Sequence, residues 1–273
     1  MAATMKNVHE MHQQNRRAWD EGAARYEEKV EQDITFLRAG GRNFVAPEFR
    51  YLENLDDWCR RAIHLQCAGG RDTLSLWNQG AAEVVGVDIS ERMIDCARQK
   101  SAALGAPAHW YCCDVLETPH ALDGTADLVY TGRGALYWLM DLEAWARVVA
   151  RVLAPGGRLY VFEGHPLAWI FDVAAADIRL DPVYGDYFAE TVDVGAGWPE
   201  AYIGELDRPK EELTPKYERQ WTLGQIINPL IETGLRLERF EEHPDLYWEQ
   251  FPNMPEEMAR RVPQTFSLLM RKQ

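Results

Sequence analysis

The stretch AIHLQCAGGRDTLSLWNQGAAEVVGVDIS, residues 62–90, decides the fold. A short apolar run, Ala62, Ile63 and Leu65, meets the small residues Ala68, Gly69 and Gly70. A helical segment from Asp72 to Asn78 follows, then a turn at Gly80 and a β-branched run, Val84, Val85 and Val87, that stops at Asp88. Strand, glycine turn, helix, strand and acid is the order of a βαβ nucleotide-binding unit. Small residues in the turn let the backbone approach a ligand, and the amides that open the next helix can hold an anionic group. An acid closing the second strand lies across the same crevice and can accept hydrogen bonds from two ribose hydroxyls. The distance from Gly70 to Asp88 is close to the ~20 residues expected between such a loop and its acid.

Outward from this unit the alternation continues. Glu91 to Leu104 reads as a helix capped by Ser90, with Met93, Ile94 and Ala97 inward and Gly105 and Pro107 ending it. Ala108 to Cys113 predicts a third strand, ending on Asp114, and residues 126–131 a fourth. A helix from about Leu142 to Leu153 stops at Ala154-Pro155-Gly156-Gly157 and turns into a strand, Arg158 to Phe162. Uninterrupted alternation of this kind predicts a doubly wound parallel sheet. Right-handed crossovers then gather Asp88, Asp114, Thr131 and Glu163 on one edge with the glycine turn, where open α/β sheets bind ligands.

The flanks are less regular. Residues 7–31 favour a helix with Trp19, Ala23 and Tyr26 on one face, and residues 32–58 carry Gly40, Gly41 and Pro47 before a polar helix with Phe49, Leu52 and Leu55. The stretch 167–215 breaks the alternation with Trp169, Phe171, Tyr184, Tyr187, Phe188, Trp198 and Tyr202 among glycines, prolines and acids, and reads as an inserted cap over the ligand edge. A strand Lys216 to Trp221, a helix Leu223 to Thr233, and strands Arg236 to Glu242 and Gln264 to Arg271 follow. The long aromatic loop 243–263 between the last two predicts an antiparallel pair at a sheet edge.

Composition bounds the function. The chain has 273 residues, enough for a single domain, 1–273, with an N-terminal helical segment at 1–58 and the cap at 167–215. A net charge of −14 argues against affinity for a phosphate backbone or an anionic membrane. The five cysteines show no repeated Cys-x-x-Cys, so neither a disulfide framework nor a zinc knuckle is expected. The adjacent Cys112 and Cys113 point to opposite strand faces, which makes them core residues rather than ligands of one metal. With no signal-peptide core in MAATMKNVHEMHQQNRR and no run of ~20 apolar residues, a cytoplasmic protein is expected, with no membrane or nucleic-acid partner. The oligomeric state is not legible.

Four stretches carry a family resemblance: HLQCAGG at 64–70, VVGVDIS at 84–90, CDV at 113–115, and DLVYTGRGALYWL at 127–139 leading to LAPGGRLYVFEGHP at 153–166. Over about Trp19 to Arg271 the order of elements resembles the class I S-adenosylmethionine-dependent methyltransferases. HLQC at 64–67 followed by DTLSL at 72–76 is similar to a bacterial small-molecule branch of them. The resemblance implies a Rossmann-like seven-stranded sheet, mostly parallel with an antiparallel C-terminal strand, and S-adenosylmethionine as cofactor. The family's first motif usually reads acid-x-Gly-x-Gly-x-Gly. Here those positions are His64, Gln66, Ala68 and Gly70, so only the last glycine remains. Asp72 and Thr73 are then candidates for the missing acid's role toward the methionine amino group, while His64 reads as an interior histidine.

Carried over, the resemblance places Gln66, Ala68 and Gly70 against the methionine moiety and Asp88 on the ribose. It places Ile89, Asp114 and Val115 around the adenine, Met93 elsewhere against the cofactor, and Thr131 and Gly132 beside the sulfonium, with Trp19 and Tyr26 closing over the cofactor. His165 and Tyr137 are the candidate catalytic residues. A histidine at the reaction edge can take a proton from an amine or hydroxyl, or simply bond the turn's backbone. Tyr137 and Trp138 line the acceptor or start a helix. The aromatics of the cap form an apolar, water-excluding pocket or pack the cap on the sheet. The expected reaction is methyl transfer to a nitrogen or oxygen of a small molecule. A nicotinamide-dependent oxidoreductase would need Gly-x-Gly-x-x-Gly, which AGGRDT at 68–73 lacks. The remaining alternative is a binding or scaffold protein that kept the fold and lost turnover.

Overall fold

A computed structural model describes residues 5–273 apart from Thr191, Glu200, Ala201 and Glu205, with side chains described from Val8 onward. The strands are β1 (Arg61–Leu65), β2 (Glu83–Asp88), β3 (Ala108–Cys112), β4 (Ala126–Gly132), β5 (Leu153–Gly164), β6 (Val192–Gly195), β7 (Lys216–Arg219), β8 (Leu235–His243) and β9 (Thr265–Lys272). Seven of them form one sheet in the order β3-β2-β1-β4-β5-β9-β8, in which β9 alone runs antiparallel to its neighbours. The chain order reverses between β1 and β4, which opens the crevice where such sheets take ligands.

Alternation along β1 shows how the sheet is buried on both faces. Ile63 and Leu65 join Val85, Leu159 and the helix residues Trp145, Val149, Ile226 and Leu230 on one side. Ala62 joins Val84, Leu128, Tyr130 and Leu74 on the other. The first layer uses α7 (Leu142–Val152) and α8 (Leu223–Glu232); the second uses α3 (Val30–Arg38), α4 (Ala46–Tyr51) and α5 (Arg71–Asn78). A strand with apolar contacts on both faces reads as a continuous apolar run, which is why β1 and β2 were so visible in the sequence. α6 (Glu91–Leu104) starts as expected, with the Ser90 hydroxyl accepting from the Met93 N–H. Among the described residues, no helix is long and apolar enough to cross a membrane.

Three expectations are corrected. Residues 7–31 are not one helix: α1 (Met5–Gly22) gives way to α2 (Ala24–Glu27) and α3. The break lets Val30 and Ile34 bury against Cys96 of α6, and at Gly22 a side chain would come within 3.2 Å of the Trp198 ring. The strand expected at Lys216 to Trp221 forms over Lys216–Arg219, as β7, but outside the main sheet, where among the described residues it pairs only with β6. The edge of β5 is already taken by β9, from Gly164↔Thr265 to Arg158↔Arg271. Cys112 and Cys113 are both half-buried: Cys113 packs against the core as expected, whereas Cys112 does not and instead faces the Ile89 carbonyl.

The cap is tied to α1 rather than to the sheet alone. The Asn15 side chain accepts from the Tyr217 N–H (2.7 Å) and donates to the Tyr217 carbonyl (2.9 Å), as a neighbouring strand would. Glu21 accepts from both the backbone and the hydroxyl of Thr214.

Candidate active site

The loop after β1 holds left-handed backbone at three places: Gln66 (φ 60°), Ala68 (φ 45°) and Gly70 (φ 78°). Only the last is a glycine, so the turn is held by bonds rather than by freedom of the chain. The Cys67 N–H donates to the Val87 carbonyl at 3.0 Å and the Gly70 N–H to the Cys67 carbonyl at 3.0 Å. The Gln66 side-chain amide donates to the Ala135 carbonyl at 2.7 Å, tying the loop to the one after β4. The Ala68 N–H donates to Asp88 Oδ2 at 2.8 Å, and the Ser90 N–H to Oδ1 at 2.9 Å. Burial pushes the Asp88 carboxyl up to about 6, against the pull of those two amides. Gly70 also answers to packing, since a Cβ there would lie 2.6 Å from Ala97 Cβ and 2.8 Å from the Trp110 ring.

His64, at the position of the family's usual acid, has its Nδ1 2.8 Å from the Thr73 hydroxyl and its ring edge-on to Tyr130. Burial drives it down to about 4, so it is neutral near pH 7. Negative charge nearby comes instead from Asp72, which accepts from the Asn43 side chain and lies 3.9 Å from Arg133 Nε. Arg133 is itself ion-paired with the buried Glu48 and donates to the Asn43 carbonyl.

At the far end, Asp114 accepts from the Leu116 N–H at 3.0 Å and meets His12 Nδ1 at 2.7 Å. His12 Nε2 accepts from the Met140 N–H at 3.1 Å, so its proton sits on Nδ1 and is donated to Asp114. The loop after β4 is held from below by Glu163, fully buried, whose carboxylate accepts from the N–H groups of Gly134, Leu136 and Gly164. Burial pushes Glu163 up to about 7, the three amides opposing.

These groups surround one cavity of about 350 Å³. Of the residues expected from sequence, Tyr26, Gln66, Ala68, Gly70, Asp72 and Asp88 line it, as do Ile89, Met93, Asp114, Val115 and Gly132. Thr73 and Thr131 do not. Both are fully buried behind the wall, Thr73 against His64 and Thr131 on the strand face of Val129. His165 also lies outside. Its Nδ1 accepts from the Leu167 N–H and its Nε2 meets Glu242 at 3.0 Å, so it serves the turn rather than the cavity. The Tyr137 hydroxyl donates to the Gly164 carbonyl and its ring packs on Trp169, again outside the cavity, whereas Trp138 lines it.

Of the cap aromatics, Tyr202 alone lines the cavity. Trp198 backs Trp19 and Trp138, Trp169 backs Tyr137, and Phe188 is 81% exposed. The sequence reading passed over His12, Asn15, Arg133, Tyr247 and Trp248, all of which face the cavity. The aromatic character of 243–263 was the one available signal for Tyr247 and Trp248.

A reversed sheet order with an acid closing β2, another after β3 and a left-handed turn after β1, all around one cavity, defines a nucleoside-cofactor enzyme of the class I methyltransferase fold. Residues 62–157 match the family model described as a methyltransferase domain. Residues 62–157 thus carry a methyltransferase domain, and the fold around it is that of the class I S-adenosylmethionine-dependent methyltransferases. The chain is 33% identical over 141 residues to a demethylmenaquinone methyltransferase of Thermus thermophilus, a match covering 45% of this chain and 63% of that one. It is 27% identical over 138 residues to a ubiquinone biosynthesis O-methyltransferase of Neisseria meningitidis, covering 48% and 56%. The chain thus spans less than two thirds of these relatives' length. Among solved structures, a methyltransferase from Mesorhizobium loti matches with a TM-score of 0.59 at 22% identity, over 83% of this chain and 96% of that one. A geranyl diphosphate C-methyltransferase from Streptomyces coelicolor matches with a TM-score of 0.55 at 15% identity, over 84% and 76%. These likenesses show the fold.

Proposed function

We propose that the chain transfers a methyl group from S-adenosylmethionine to a nitrogen or oxygen of a small molecule, in the cytoplasm. The observation that carries the reading is the single cavity joining Asp88, Asp114 and the 66–70 loop. The residues fit the cofactor. Gln66 Oε1, on the cavity wall, is buried without a protein partner, as an acceptor meant for a bound donor would be. Each Asp88 oxygen takes one backbone N–H and keeps a lone pair for a ribose hydroxyl. Ile89, Met93, Val115 and Asp114 would hold the adenine, the last with its geometry set by His12. Asp72 would take the role that His64, being neutral, cannot fill toward the methionine amino group.

Bound there, the cofactor supplies a methyl carbon made electrophilic by its sulfonium. The chain's own residues orient and enclose. Glu163 fixes the loop 134–136, Gln66 couples that loop to the turn after β1, and α1 with the cap excludes water through Trp19, Trp138 and Tyr202. The O-methyltransferase among the relatives supports an oxygen acceptor, and the aromatic lining supports an aromatic or cationic one. Calorimetry with S-adenosylmethionine and S-adenosylhomocysteine, alongside NAD and NADP, on wild type and Asp88→Ala is the test. Micromolar binding of the sulfur ligands, lost in the variant, is expected. Binding of NAD alone would turn the reading to an oxidoreductase, and binding of none of the four to a scaffold.

A further inference from the structure

We infer that the acceptor is a small amine, converted to an ammonium ion, held in a box of Tyr26, Tyr202, Tyr247 and Trp248 above Gly134. The inference rests on the methyltransferase reading and narrows its acceptor. The four rings come from three parts of the chain, Tyr247 and Trp248 being adjacent, and all four line the cavity. Tyr202 and Trp248 stand edge to face with centroids 5.7 Å apart, and the Tyr202 hydroxyl is 3.5 Å from the Arg133 carbonyl. A Cβ on Gly134 would lie 3.2 Å from the Tyr247 hydroxyl, and one on Gly69 3.1 Å from the Tyr26 ring. The rings therefore roof both loops between which the methyl donor would lie.

Charge selects the occupant. The one cationic side chain of the loop after β4, Arg133, is held by Glu48 and the Asn43 carbonyl. Asp72 stands beside it, and the Glu163 carboxylate lies directly beneath Gly134, whose N–H it accepts. Of the other cations lining the cavity, Arg25 pairs with Glu28 and Arg71 with Asp33, while Lys29 lies three residues from Tyr26; ring faces are negative at their centres, so the box itself attracts a cation. The reaction keeps that cation in place. The amine lone pair forms the nitrogen–carbon bond, the carbon–sulfur bond breaks, and its electron pair stays on sulfur as a neutral thioether. Positive charge moves from sulfur to nitrogen beneath the same rings. A tertiary amine releases no proton, and a primary or secondary amine releases one to solvent. An amine that sheds its proton to solvent before entering the box needs no protein base, which agrees with His165 having both ring nitrogens engaged outside the cavity.

The test is calorimetry on protein saturated with S-adenosylhomocysteine, titrated with choline and with its neutral carbon isostere 3,3-dimethylbutan-1-ol. Choline is expected to bind at least about tenfold more tightly than the isostere, the preference a desolvated cation–π box confers. Trp248→Ala is expected to abolish the preference and Trp248→Phe to restore most of it, with thermal melts reporting whether each variant folds. Equal binding of the two probes, or binding of neither, overturns the inference and leaves the methyltransferase reading standing. Absence of S-adenosylhomocysteine binding by folded wild type overturns both.

Discussion

Gln66 and Ala68 occupy left-handed backbone that costs an L-residue roughly 1–2 kcal/mol each. The two differ in what they receive in return. Gln66 gains a side-chain bond to Ala135, while the Ala68 side chain gains nothing its backbone N–H does not already have. Ala68→Gly is therefore expected to raise stability by up to ~1 kcal/mol, the relieved strain being partly offset by the freedom glycine adds to the unfolded chain. A urea midpoint that falls instead would show that the alanine methyl packs. Gly132 is the opposite case: at φ 150° a Cβ would sit 1.9 Å from the Phe162 carbonyl oxygen. Gly132→Ala is expected to lose at least about 4 kcal/mol, and an unchanged urea midpoint would refute the clash. At this scale the sequence was legible where chemistry is local. Asp88 and Asp114 were found because each follows a strand. His12 was not, because it meets Asp114 across 102 residues of chain and carries no local signature. Thr131 was misplaced for a simpler reason: along β4 the side chains alternate, and the cavity belongs to the face of Gly132.

At the scale of elements, one buried ion pair joins two helices. Lys100 of α6 is fully buried and bonds Asp33 of α3 at 2.9 Å, and Asp33 also receives Arg71 at 3.2 Å. Removing one partner strands the other charge, which typically costs 3–5 kcal/mol, whereas replacing the pair with apolar residues often does not. Asp33→Leu is expected to lose about 3 kcal/mol or more, and Asp33→Leu with Lys100→Met to recover most of it. Equal losses in the two proteins on urea denaturation would show that Arg71, not Lys100, is what Asp33 serves. Helices of this kind were legible from their ends: Ser90, Asp141 and Thr222 each accept from the N–H three residues on. The partner of a strand was not legible. Nothing in KYER at 216–219 says that it pairs with 192–195 instead of joining the large sheet, because alternation reports a face and not a neighbour. The same limit hid how α1 and the cap join, through Asn15 and Glu21.

Across the whole molecule, three buried groups couple folding to the site. Asp88 and Glu163 have folded pKa values raised to about 6 and about 7 from ordinary values of 3.8 and 4.5. The folded state holds their protons more tightly, so the stability they contribute is complete below about pH 4 and lost as pH rises through 6 and 7. His64 is lowered to about 4 from 6.5, so its contribution is complete above 6.5 and lost as pH falls toward 4. Between these limits two raised carboxyls oppose one lowered imidazole. At these three groups the folded chain therefore binds about one proton more than the unfolded chain, and their joint contribution to stability falls with rising pH by roughly 1 kcal/mol per unit. Cofactor affinity runs the other way. Two ribose hydroxyls can both donate to an ionised Asp88, but a protonated carboxyl offers fewer acceptors. Affinity for S-adenosylhomocysteine is thus expected to rise severalfold between pH 5 and pH 7.5 while the melting temperature declines. Asp88→Asn, which carries no titrating proton, separates the two effects: its affinity is expected to be weaker and flat with pH. A wild-type affinity that stays flat across this range would mean that the ribose does not rest on Asp88. A slope shared by both proteins would assign the proton to a neighbour.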